Sequence, residues 1–165
     1  MSTNVAAVPM EMEMTRFFRA PRPRVWHAWT DVDQLAQWWG PKMFTNPRCE
    51  IDLRPGGKIH IDMRAPDGTV YPMGGEFEEI VPPERLVFLA SALDAQGQPM
   101  FVNRNTVVFR ELDGGTEISL HVIVISATAV APQYLKGMSE GWSGSLEKLA
   151  AFLQENQRTA EAAGI

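Results

Sequence analysis

Cysteine is almost missing from this chain: Cys49 stands alone among 165 residues. A single thiol cannot close an internal disulfide, so nothing calls for an oxidising compartment. Net positive charge is missing as well. The formal charge is −5, which argues against nucleic acid or an anionic membrane as the main partner, because both recruit basic surfaces. No apolar run reaches the roughly 20 residues of a membrane-spanning helix. The first residues, Met1 to Pro9, lack the basic start and apolar centre of a secretory signal. These absences lead to the expectation of a cytoplasmic protein that neither binds nucleic acid nor inserts into a membrane.

Recognisable catalytic and metal sets are absent too. His27 falls on a helix, and His60 and His121 fall at outward strand positions, so no cluster has metal-ligand spacing. Cys49 has inward parity and no cation facing it, as expected of an inert buried thiol. Ser139, Ser143 and Ser145 have no evident base. Gly56-Gly57 and Gly114-Gly115 read as turns, since no helix follows them to cradle a phosphate. No cofactor is implied.

What the chain has is periodicity. Apolar residues make up 45% and charged residues 21%, ordinary globular usage. The length suits one domain with a core of its own, read over 1–165 with flexible ends at 1–10 and 155–165. Met12, Met14, Arg16 and Phe18 share one parity, the mark of a strand with one inward face. Pro21 and Pro23 open a short helix carrying Val25, Ala28 and Trp29. Thr30 reads as the N-cap of a second short helix with Leu35 and Trp38, stopped by Gly40-Pro41. Six strands follow. Cys49, Ile51 and Leu53 alternate with Glu50 and Asp52, and Ile59, Ile61 and Met63 with His60 and Asp62. A strand from Tyr71 to Val81 carries Gly74-Gly75 as an expected bulge or bend. The later strands are marked by Leu86, Phe88 and Ala90, by Val107 and Phe109, and by Ile118, Leu120 and Val122, with a polar loop from Asp94 to Pro99. The period then changes. From Pro132, Leu135, Met138, Trp142, Leu146 and Leu149 recur at helical spacing, with Gly137, Gly141 and Gly144 among them. Three glycines in one helix point to a close approach by the sheet or by a ligand. The expected fold class is α+β: a curved antiparallel sheet covered by one long C-terminal helix.

Several ordered motifs carry a resemblance. Arg16-x-Phe18-x-Ala20-Pro21, Val25-Trp26-x-Ala28-Trp29-Thr30-Asp31 and Leu35-x-x-Trp38-Trp39-Gly40-Pro41 come first. Arg54-Pro55-Gly56-Gly57 and the segment from Gly75 through Phe77 and Glu79 to Pro82-Pro83-Glu84-Arg85-Leu86 follow, then Gly137-Met138-x-x-Gly141-Trp142-x-x-Ser145-Leu146. This set resembles the START-like, or SRPBCC, superfamily, in its branch of homologues of the activator of the heat-shock-protein ATPase. It departs from the branch at Asp31-Val32-Asp33, where a proline after the aspartate is usual. The resemblance implies the helix-grip fold, a cavity between sheet and C-terminal helix, and no shared catalytic motif. Superfamily relatives bind lipids, hormones and polyketides, and a few act as cyclases.

The inward strand parities and the helix stripe name a candidate cavity lining. The strands offer Ile51, Leu53, Ile59, Ile61, Met63, Phe77, Phe88, Val107, Phe109, Leu120 and Val122. The long helix offers Met138, Trp142 and Leu146, and the mouth Trp38, Trp39 and Phe44. One of the adjacent tryptophans is expected to face in and the other out, which reads either as a helix stop with one core anchor or as a gate over the cavity mouth. Arg16, Glu79 and Tyr71 are the candidate polar handles. The leading expectation is a binding module for a small apolar molecule, lipid-like or aromatic. The alternatives are a cyclase or isomerase using an inward carboxylate, and a chaperone-interacting module. Apolar residues on the wet side (Val87, Leu89, Val108, Ile123) leave a homodimer open.

Overall fold

Alternation of polar and apolar residues builds seven strands, and a change of period builds three helices. The computed structural model describes residues 11–127 and 132–162, with side chains described for 11–125 and 138–154. In chain order the elements are β1 (Glu11–Phe18), α1 (Arg22–Thr30), α2 (Val32–Trp38), β2 (Thr45–Ile51), β3 (Lys58–Arg64), β4 (Val70–Val81), β5 (Arg85–Leu93), β6 (Pro99–Leu112), β7 (Gly115–Ala127) and α3 (Pro132–Ala162). The strands form one antiparallel sheet in the order β1-β7-β6-β5-β4-β3-β2. It is the expected helix-grip α+β architecture, a curved sheet with α3 packed against it. No helix among the described residues is long and apolar enough to cross a membrane.

Asp31 ends one helix and starts the next. Its N–H donates to the His27 carbonyl, and its carboxylate accepts from the Asp33 N–H. Thr30, the expected cap, instead turns its hydroxyl back to the Trp26 carbonyl at 2.9 Å. Asp31 stands immediately before the first residue of α2, so its carboxylate rather than the Thr30 hydroxyl meets the free Asp33 N–H and takes the capping role.

The expected bulge also lies elsewhere. Gly74 and Gly75 pair in register with Ser91 and Ala90, and the register slips between Phe77 and Glu79. Gly75 serves a different need. A Cβ there would lie 2.1 Å from the Leu89 carbonyl oxygen, so only glycine lets β5 come this close. Between β2 and β3 the expected turn at Pro55-Gly56-Gly57 is present, the Gly57 N–H donating to Arg54 O at 2.8 Å, and the chain leaves the strand just before it, where the Arg54 N–H donates to Asp52 O.

The core lies between the sheet and the three helices. Phe109, Ile118, Leu120, Val107 and Val122 are fully buried on β6 and β7, facing Leu146, Leu149 and Leu153 of α3 and Trp26, Trp29 and Trp38 of the short helices. Each such aliphatic side chain stabilises the fold by about 1.5–3 kcal/mol. The α3 backbone continues past Leu153 to Ala162. Of the ends expected to be flexible, 1–10 and 155–165, residues 1–10 and 163–165 and the side chains of 155–162 lie outside the described residues, as do the side chain of Leu135 and the surroundings of Gly137.

Candidate functional site

A hollow of about 520 Å³ separates the inner face of β3–β6 from α3. Its floor is Met63, Met73, Ala90 and Ala92, with Phe101, Asn103 and Asn105 from β6. Met138, Gly141, Trp142 and Ser145 of α3 face them, and Trp39-Gly40-Pro41 closes one side. Small residues on β5 leave the space, while methionines and aromatic rings make its surface. None of the described lining residues is charged.

The wall at Trp39-Gly40-Pro41 is tied to α3 by polar side chains. Gly40 takes φ +93°, a conformation that favours glycine. Lys148 on α3 sends its ammonium into the turn, where the carbonyl oxygens of Trp39, Gly40, Pro41 and Phe44 lie 3.2–3.3 Å from Nζ. Burial draws this lysine below its ordinary pKa, whereas the carbonyls favour the charged form. The Ser145 hydroxyl donates to Gly40 O at 2.7 Å, and Asn46 Nδ2 donates to Trp39 O at 2.9 Å. A Cβ on Gly144 would sit 3.2 Å from the Lys42 nitrogen. That glycine therefore marks where the turn crosses the helix, so the close approach is made by the turn after α2 and not by the sheet or a ligand.

The expected lining divides into four groups. Trp39, Met63, Met138 and Trp142 border the hollow. Ile51, Ile59, Ile61, Phe77 and Phe88 surround a separate small void of about 20 Å³, which Trp39 also borders. Trp38, Val107, Phe109, Leu120, Val122 and Leu146 are filled core and border neither space. Leu53 and Phe44 lie outside both. Leu53 is 42% exposed because the chain leaves the sheet at Asp52. Phe44 is half-buried, its ring centroid 6.0 Å from that of Tyr71.

Both adjacent tryptophans are buried, against the expectation that one faces out. Helix α2 ends at Trp38 and Trp39 is extended, so the two rings do not diverge as on a helix. Trp38 Nε1 donates to Ala28 O at 2.9 Å. The Trp39 ring meets Trp142 edge-on at 5.3 Å.

The three expected polar handles do not border the hollow. Glu79 turns outward after the register slip, and Arg85 Nε donates to it at 2.7 Å. Tyr71 is 49% exposed beside Phe44. Arg16 binds the β1 side of α3, with NH2 donating to Ser143 Oγ at 3.3 Å. The polar groups at the hollow are instead Asn103, Asn105, Ser91 and Ser145. The available signal was parity: Phe101, Asn103 and Asn105 continue the inward face of Val107 and Phe109 backwards along β6. Two asparagines hid that face by breaking its apolar run.

No His/Cys/Asp/Glu group among the described residues is arranged to hold a metal ion. His60 faces Asp62 at 2.9 Å, and His121 faces Glu11. Burial pushes the Cys49 thiol up to about 11, with Asp33 and Glu50 adding to the effect, as befits a thiol kept protonated.

Comparison with known proteins agrees with this architecture. A Mycobacterium smegmatis protein of known structure is 32% identical, with 87% of this chain and 90% of that one covered and a TM-score of 0.76. An Arthrobacter aurescens protein is 30% identical, with 88% and 87% covered and a TM-score of 0.78. A Nitrosomonas europaea protein is 26% identical, with 90% and 96% covered and a TM-score of 0.77. No curated protein matches the sequence. Residues 19–154 match the family described as activator of Hsp90 ATPase homolog 1-like protein. That match takes in α1, α2, the sheet from β2 to β7 and the part of α3 that walls the hollow, and the chain belongs to this family.

Proposed function

We propose that the protein binds a small hydrophobic molecule, lipid-like or aromatic, in the hollow between the sheet and α3. The observation that carries this reading is the hollow itself. Its volume of about 520 Å³ falls within the roughly 300–1,000 Å³ of small-molecule pockets. Its surface is mostly methionine, alanine and aromatic ring, with a few polar groups. The superfamily that the sequence resembles, whose members bind lipids, hormones and polyketides, supports the same reading.

The carboxylate-dependent cyclase or isomerase loses its candidate, because Glu79 is an outward partner of Arg85. No specific observation favours a chaperone-interacting role or a homodimer.

Native mass spectrometry of freshly purified protein, followed by organic extraction, tests the proposal for the natural ligand. The neutral fluorophore N-phenyl-1-naphthylamine tests it for the site. Its emission is expected to rise on binding the wild type and to stay flat with Ala92→Trp, whose indole fills the floor. Equal enhancement by both proteins would place the fluorophore elsewhere and defeat the reading.

A further inference from the structure

Asn103 is the odd residue in the wall of the hollow. It stands at an inward position of β6, is 6% exposed, and borders the empty space. Its two amide atoms are in different situations. Nδ2 lies 3.4 Å from the Met138 sulfur, while Oδ1 is buried with no hydrogen-bond partner among the described residues. The orientation is chemically determined. A thioether has lone pairs and no proton, so it can receive the amide N–H and can offer nothing to the amide oxygen. Turning the amide over would set two acceptors against each other.

Native structures rarely leave a buried amide oxygen without a donor. The described neighbours, Ser91 of the lining included, do not supply one. Asn105 Nδ2 is engaged with the carbonyls of Phe88 at 3.2 Å and Asn103 at 3.4 Å. The Ser145 hydroxyl proton is directed to Gly40 O. The Lys148 ammonium is enclosed by the carbonyls of the turn. Among the described residues, the remaining side from which a donor can come is the hollow, whose wall Asn103 forms; Oδ1 itself is sealed as the side chains lie, so a small turn of the amide must open it to an occupant. Nothing in its described lining would balance a buried ionic charge, so an anionic or cationic occupant would be penalised.

We infer that the occupant of the hollow is an uncharged, mainly apolar molecule carrying a hydroxyl or N–H group that donates to Asn103 Oδ1. This rests on the binding reading above and narrows it. Simple hydrocarbons and ionised fatty acids are disfavoured. Phenols, alcohols and neutral N–H heterocycles fit. Trp39, Trp142 and Phe101 supply flat apolar surface for the body of such a ligand, and Asn103 fixes which end points into the sheet.

Three probes of nearly one shape test this: 2-naphthol, its methyl ether 2-methoxynaphthalene, and 2-naphthoate near neutral pH. Each competes with N-phenyl-1-naphthylamine for the wild type and for Asn103→Leu, which keeps the bulk and removes the acceptor. In the wild type, 2-naphthol is expected to bind about five- to tenfold more tightly than the ether, the usual worth of one buried hydrogen bond. In Asn103→Leu that preference is expected to fall to about twofold or less while the ether still binds, a cycle that isolates the amide–donor pair. The naphthoate is expected to bind at least about tenfold more weakly than the naphthol.

Equal binding of naphthol and ether by the wild type would overturn the donor inference while leaving the cavity reading intact, and would mean that water already serves Oδ1. The wild-type ratio decides this even if Asn103→Leu fails to fold. A preference that survives unchanged in folded Asn103→Leu would overturn the assignment to Asn103. Failure of both neutral probes and of the fluorophore to bind would overturn the cavity reading, and the donor inference with it.

Discussion

In a Lys148→Met variant the aliphatic stem stays and the ammonium goes. Four carbonyl oxygens within 3.3 Å of Nζ lose a donor. Three have another. Trp39 O keeps Asn46 Nδ2, Gly40 O keeps the Ser145 hydroxyl, and Pro41 O keeps the Phe44 N–H at 3.1 Å. Phe44 O depends most on the lysine. Leaving a buried carbonyl unserved costs about 1–3 kcal/mol. Lys148 is only half-buried, so water can reach part of the vacated space, and removing a partly desolvated charge returns some free energy. The expected loss therefore lies at the lower end, about 1–2 kcal/mol. With a urea dependence of about 2 kcal/mol per molar, the unfolding midpoint is expected to fall by about 0.5–1 M. Lys42→Ala is the control, since it removes only an exposed pair with Glu147, and its midpoint is expected to hold. The turn also walls the hollow, so Lys148→Met is expected to weaken fluorophore binding, and Lys42→Ala is not. A Lys148→Met midpoint within about 0.2 M of wild type would refute the idea that the ammonium organises this turn.

Other outcomes follow from single contacts. Gly75→Ala places a methyl 2.1 Å from Leu89 O and is expected to destabilise by about 3 kcal/mol or more, the upper end for overpacking, read from the thermal midpoint. Glu79→Gln removes an exposed partner of Arg85 and is expected to leave fluorophore binding unchanged; a large loss would restore the inward-carboxylate reading. Burial raises the Cys49 pKa from 9.0 to about 11, so near neutral pH its thiolate fraction, and with it the rate of reaction with a disulfide reagent, is expected to be about a hundredfold below that of an ordinary thiol. The same shift has a pH sign. The unfolded chain loses this proton first, so stability is full below pH 9.0 and falls as pH rises towards about 11. Cys49→Ala is expected to lack that part of the decline in urea titrations across the interval.

The order of elements was legible because period is a strong signal. The alternation in Ile59-Ile61-Met63 and the helical stripe through Trp142, Leu146 and Leu149 each admit one kind of backbone. The site was legible only in part, and parity explains why. Inward parity shows that Leu120 and Val122 face the helices, but not whether a neighbour's ring fills the space above them. That depends on where side chains from other elements come to rest, as the rings of Trp26 and Trp29 do against Phe109 of β6. The most informative position, Asn103, was passed over because an amide at an inward position resembles a loop residue when read alone. Glu79 failed for a local reason: one slipped residue after Phe77 reverses the face of everything that follows it on the strand.

The pairing of β1 with β7, which sets Glu11 opposite Ile123, also has a consequence for biosynthesis. From β2 to β7 the strands leave the ribosome in the order in which they pair, so each hairpin can close on its predecessor. β1 emerges before any of them and has no partner until β7 is made. Its inner side chains, Met12, Met14 and Phe18, stay uncovered through most of translation, along with a row of unsatisfied backbone groups. Such an edge invites pairing with another nascent chain. Glu11 and Glu13, on the outward side of the same strand, give two waiting copies like charges at close quarters. They thereby discourage the mispairing that this topology would otherwise favour.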